Sequence, residues 1–193
     1  MRFVRRTALR DVPAWARVDE VALQAVEESL AEDGDELQKT LDGSYREMDL
    51  RQPALAQWLA DQVSSKSDDL AQSLGYFLAV TVYMAFREAF PRRLDAVEAR
   101  ALQIAIEMLA VDEQLRANDP SELLESDDVV AMGQPVLLHF VQHHLDQALE
   151  QAGDEPDLAA FDQIYRAVLV EVIVLSDAVI PPDGTQRTHV AQA

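Results

Sequence analysis

The side chains best spaced for chemistry are His139, His143, Asp146 and Glu150, in a stretch that opens Pro135-Val-Leu-Leu-His-Phe-Val-Gln-His-His. On a helix, at about 100° per residue, these four fall within roughly 60° of one another. Histidines four apart can chelate a divalent ion through neutral ring nitrogens, and a carboxylate one turn on can complete the set. The opposite face carries Leu137, Leu138, Phe140, Val141 and Leu145, so the polar stripe should look outward. No Glu-x-x-His pair elsewhere offers the second-helix ligands that bundle metal sites use. The wet side of an amphipathic helix accounts for the pattern, and neither a metal nor a cofactor is assigned.

His144 projects onto the apolar face, beside Phe140 and Val141. A buried imidazole needs a hydrogen-bond partner and titrates near physiological pH. A satisfied core histidine is the expectation, with a place in a pocket as the alternative. Two carboxylates interrupt apolar runs: Glu107 in ALQIAIEMLAV and Glu171 in AVLVEVIVL. An ionised carboxylate in a core is costly unless paired, so such residues can mark sites. Glu107 shares a narrow stripe with Arg100, Gln103 and Gln114, the exposed edge of a mostly buried helix. Glu171 has only Ala167, Val168, Val174 and Leu175 one turn away. It should be partly buried and paired with an arginine, Arg87 or Arg100, or else contact a ligand. Tyr76 and Tyr83 lie two turns apart, with Arg87 four residues beyond Tyr83, and could line an interhelical pocket. Core packing with hydroxyls reaching polar partners is the competing account.

Other chemistries are excluded. There is no cysteine, hence no disulfide, thiolate ligand or cysteine nucleophile. No phosphate-cradling glycine loop, serine elbow or calcium loop is present, and Ser73-Leu-Gly-Tyr lies inside an apolar helix rather than at a strand-to-helix turn. With catalytic motifs missing, binding rather than catalysis is the expected role.

The elements that must position these residues read as helices. Long stretches lack breakers, since the 6 glycines and 8 prolines cluster. A first helix should open near Asp11 or Val12, carry Trp15, Val18, Ala22, Val26 and Leu30 at helical spacing, and end at Gly34. A short helix over Glu36–Leu41 should stop at Gly43, with Ser44–Gln52 as a polar connection and Pro53 opening the next helix. Ser67 caps a long apolar helix, 67–90, ended by Pro91; being apolar around most of its circumference, it should be the central element. A helix over Leu94–Ala117 follows, then a short turn at Asp119-Pro-Ser-Glu. Ser126 begins a segment that Gly133 and Pro135 kink or divide before it runs on to Gly153. The last helix covers Pro156–Ile180. Its β-branched core could be a strand, but no partner strand exists to satisfy the backbone. No repeat appears at the periods that mark solenoids. The reading is all-α: one irregular bundle of six or seven helices over 11–180, with a basic segment 1–10 and a tail 181–193.

The formal charge is −19. Residues 1–17 hold five arginines (Arg2, Arg5, Arg6, Arg10 and Arg17) against Asp11, giving +4 and leaving −23 for the rest. From Ala117 to Tyr165 there are 11 acidic residues and no lysine or arginine. Such a surface disfavours nucleic acid and anionic lipid, and favours solubility or a basic partner. The segment Arg2–Arg10 is too short for a nucleic-acid site and should instead dock on the protein's own acidic surface. It lacks the apolar core of a signal peptide, and Leu70–Phe86, at 17 residues, is marginal for a membrane span. A cytoplasmic location is expected. Fourteen arginines against two lysines point to a GC-rich, bacterial genome. These features favour a non-enzymatic acidic interaction module (an adaptor, chaperone-like protein or regulator) binding a protein partner or itself. The alternatives are a ligand- or metal-binding pocket between the central and last helices near Glu171, and an acidic mimic of nucleic acid covering a basic partner.

Overall fold

The computed structural model describes residues 8–31, 33–65, 68–118, 125–153 and 156–182. Over these the chain forms a 3-10 turn, Ala14–Ala16, and eight α-helices: α1 Glu20–Ser29, α2 Asp35–Arg51, α3 Pro53–Ser64, α4 Asp69–Ala89, α5 Ala99–Ala117, α6 Ser126–Gly133, α7 Pro135–Gln151 and α8 Leu158–Ala178. Among the described residues there is no sheet; an antiparallel bridge between Leu94 and Val179 stands alone. The expected all-α architecture holds, with eight helices rather than six or seven.

The central helix starts where Asp68, not Ser67, caps it: its carboxylate accepts from Ala71 N at 2.7 Å. Ser67 lies outside the described residues, as do residues 1–7, the 119–124 turn and the tail from 183. AVLVEVIVL winds as helix within α8, which is buried on most sides, because α4 and not a strand lies against it. Gly75 of α4 sits at the crossing: a Cβ there would stand 2.6 Å from Ile164 Cδ1 and 3.0 Å from Val63 Cγ2. Removing that side chain lets α4, α8 and α3 approach closely.

Three boundaries differ from the sequence reading. The first helix does not run from Asp11. Residues 17–19 are non-helical, because Gln134 takes over their hydrogen bonds: Val18 N donates to its Oε1 at 2.9 Å, and its Nε2 donates to Ala16 O at 2.6 Å. Asp19 then caps α1 through Ala22 N. Gly43 does not stop α2, which continues to Arg51 and absorbs the supposed connection 44–52. Leu41, Ser44 and Met48 are buried on one face, and packing of that face outweighs glycine's cost of about 1 kcal/mol. The turn falls at Gly34 instead, with φ +61°. The fifth helix begins at Ala99 rather than Leu94, since Gln52 holds the preceding segment: Nε2 donates to Asp95 O at 2.8 Å, and Val97 N donates to Oε1 at 2.7 Å.

These two glutamines reveal that the fold is built twice. Gln52 breaks α2 from α3 and Gln134 breaks α6 from α7; each is buried, precedes a proline, and has φ near −130° with ψ of 52° or 60°. Each grips the segment entering the first helix of the other half. α4 and α8 are both capped by aspartate, Asp68 and Asp157, through the amide three residues on. Eight residues past each cap stands a tyrosine whose hydroxyl donates to an aspartate: Tyr76 to Asp42 of α2 at 2.8 Å, Tyr165 to Asp127 of α6 at 2.9 Å. Val18-Asp-Glu-Val-Ala-Leu-Gln matches Val97-Glu-Ala-Arg-Ala-Leu-Gln. Packing is reciprocal as well. α1 lies on α4 and α7, as α5 lies on α8 and α3, while α4 touches α7 as α8 touches α3. Exchange of partners between halves is what a two-fold relation produces. The halves have diverged, since α3 packs on α4 more extensively than α7 does on α8.

Candidate functional sites

Glu171 is fully buried, and neither carboxylate oxygen has a hydrogen-bond partner among the described residues. The expected arginine pairing is wrong. Arg87 is bonded to Glu47 of α2, which also holds Arg51 at 3.1 Å, and Arg100 is exposed. Helical projection finds which residues lie beside Glu171 on its own helix, and says nothing of what the opposing helices bring. Desolvation pushes its pKa well above the ordinary carboxylate range, so the group is held protonated. Glu171 lines none of the cavities described below. Its counterpart in the first half, 89 residues earlier, is Val82, also fully buried.

Tyr83 is buried with its hydroxyl unpartnered, whereas Tyr76 reaches Asp42. Burial raises the pKa of both, with Glu47 adding to the effect at Tyr83 and the Asp42 bond at Tyr76. Arg87 acts electrostatically on Tyr83, but neither forms a hydrogen bond to Glu171. His144 faces the apolar side as expected but is half-buried rather than in the core: its ring stacks on Phe77 with centroids 5.1 Å apart, and Nδ1 lies 3.1 Å from Phe140 O. Desolvation lowers its pKa, which keeps the imidazole neutral at pH 7.

His139 and His143 are exposed, as the stripe predicts, and line a groove of about 520 Å³ between α7 and α1. Its other wall presents Glu20, Gln24 and Glu27, and its floor includes Leu23 and Phe140. The sequence reading had no opposing wall, because the approach of α1 is set by Gln134 gripping residues more than a hundred positions away. Asp146 is exposed and outside this groove. Among the described residues no three histidine or carboxylate side chains are placed to hold one metal ion.

A groove of about 460 Å³ opens between α2, α3 and α4, walled by Tyr45 and Tyr76, whose ring centroids are 5.8 Å apart. On α5, Asp112 is fully buried and accepts from Arg116 Nε at 2.6 Å, Ser126 Oγ at 2.8 Å and Ala8 N at 2.7 Å. This node ties α5 to α6 and to the entering chain. The outward face of α5 is apolar: Ile104, Val111 and Leu115 are 41%, 47% and 46% exposed, with half-buried Met108 between them. The expected polar edge, Arg100, Gln103, Glu107 and Gln114, is exposed beside this stripe. Sequence reasoning took the neighbouring aliphatics for core, since spacing alone cannot say which of two apolar faces has a partner.

The acids of the 117–165 stretch are largely occupied locally where described. Asp127 accepts from Tyr165, Asp128 closes a capping box with Glu125, and Asp157 caps α8. Among the described residues no helix is long and apolar enough to cross a membrane. The chain matches no family model, no curated protein and no solved structure.

Proposed function

We propose that this protein is a helical interaction module that captures an amphipathic helix of a protein partner along the outer face of α5. The observation that carries this reading is the line Ile104, Met108, Val111, Leu115. Its steps of four, three and four residues are those of a coiled-coil seam, and it spans roughly 16 Å. α5 is an edge helix whose inner face packs on α8, α3 and α6. The fold does not require apolar residues outside: 79 positions earlier, on α1, the matching residues to Ile104 and Met108 are exposed Ala25 and Ser29. Charge also favours the site. α5 carries Arg100, Glu107, Asp112, Glu113 and Arg116, a net −1 in a chain of −19, so it adds little to the repulsion of an acidic partner, a second copy included.

The test places a photo-crosslinking phenylalanine analogue at position 111 or at position 29 and irradiates the native host. The reading expects a discrete adduct from position 111, of twice the chain mass for a self-partner or another mass for a different one. It also expects that adduct to vanish in the folded Leu115→Glu variant. Equal adducts from both positions, or insensitivity to Leu115→Glu, would refute it.

A further inference from the structure

We propose that the groove between α2, α3 and α4 is a binding site for a small organic cation with an apolar or aromatic body. This goes beyond the docking role of α5: it concerns another face and another class of ligand. The cavity, about 460 Å³, lies within the range of small-molecule sites, roughly 300–1,000 Å³. Its floor is aliphatic, formed by Met48, Leu59, Val63 and Val80, and its aromatic walls are Tyr45 and Tyr76.

Charge selects the sign of the ligand. Among the described residues no lysine or arginine lines the groove. Asp49 and Asp61 both act electrostatically on the Tyr45 hydroxyl, and Asp42 accepts from Tyr76. Against these three carboxylates stands Arg46, which acts on Asp42 and Tyr76 from the exposed side of α2. Tyrosine faces beside a carboxylate rim attract a weakly hydrated cation by its interaction with the ring quadrupole and by simple charge.

The second half of the molecule provides an internal control. There the position of Gln72 is taken by Phe161, which is only 2% exposed. The position of Ala60 is taken by Gln142, whose amide donates to the Tyr165 hydroxyl at 3.1 Å. At these matching positions the second half thus carries a buried ring and an amide bonded to its own tyrosine. In the first half, small and polar residues stand where that ring and amide would be, and the tyrosine wall is left open.

Tetraphenylphosphonium and tetraphenylborate, nearly identical in shape and opposite in charge, are suitable probes. Titration calorimetry on the full chain should find one phosphonium site, at least tenfold tighter than any borate site. Gln72→Phe, which introduces the ring of the other half, should weaken the phosphonium site at least tenfold. The exposed substitution Asp61→Asn, which leaves the groove's shape alone, should weaken phosphonium several-fold while borate gains or stays level. Equal affinity for both ions would reduce the groove to a greasy surface. Multiple phosphonium sites indifferent to Gln72→Phe would mean adsorption to an acidic protein. Either outcome, or no binding at all, overturns the proposal.

Discussion

Glu171→Val exchanges the buried carboxyl for the residue that the first half carries at the matching position, Val82. The two side chains are close in volume, so little cavity or strain should follow. Two contributions favour the variant. At every pH it removes a buried polar group whose oxygens have no partner, a penalty of about 1–3 kcal/mol. The second contribution depends on pH. Burial raises the folded-state pKa above the ordinary value of 4.5, so the folded protein keeps a proton that the unfolded chain has released. Stability from this group is whole below the ordinary value and is lost as pH rises toward the folded one, the reverse of a salt-bridged carboxylate. The loss is about 1.4 kcal/mol per pH unit across that window. The variant does not titrate at this position, so its advantage should widen as pH rises from the ordinary carboxylate value toward the folded one and level off above it. Urea unfolding of both proteins at half-unit pH steps measures this, and taking the difference removes the background from the other 34 acids. A variant less stable at both ends, or a difference that does not change with pH, would refute the reasoning.

Asp112→Ala should lower stability by about 3–5 kcal/mol in urea titrations, since it breaks the ion pair with nearly buried Arg116 and takes an acceptor from Ser126 and Ala8. Gly43→Ala should gain about 1 kcal/mol, because the site is helical with nothing within 4 Å of the new methyl. Gly133→Ala should lose about 1–3 kcal/mol, as its Cβ would stand 2.5 Å from Val12 Cβ; the two melting curves should move in opposite directions. Tyr83→Phe should leave stability unchanged or raise it by up to about 1 kcal/mol, given its unpartnered hydroxyl. Tyr76→Phe, which gives up the Asp42 bond, should lower the melting temperature.

What the sequence made legible was whatever local chemistry decides. Acids ahead of α4, the Gly133–Pro135 break and the prolines after α4 and α8 are signals read within a few residues, and each marks a boundary to within a few positions. The start of α1 and the course of α2 were not legible, because remote contacts decide them: Gln134 replaces helical hydrogen bonds at Ala16 and Val18, and burial of Met48 carries the helix through Gly43. The doubling escaped notice because matching residues drift in spacing, from 79 positions between Val18 and Val97 to 82 between Gln52 and Gln134 and 89 between Tyr76 and Tyr165. No single period survives that drift. The outward histidines and the half-buried, aromatic-facing place of His144 followed from helical angles. That α1 faces those histidines, that Glu171 lacks an arginine and that α5 turns apolar residues outward all depend on which helices meet.

The crossed grip of Gln52 and Gln134 has a consequence for how the chain can be cut. Each half holds the amide and carbonyl that the other half's glutamine needs, so neither is self-sufficient. Severing the polypeptide in the exposed turn at Pro91–Arg92 should yield two fragments that stay incomplete apart, and mixed, they should reassemble by trading glutamine clasps.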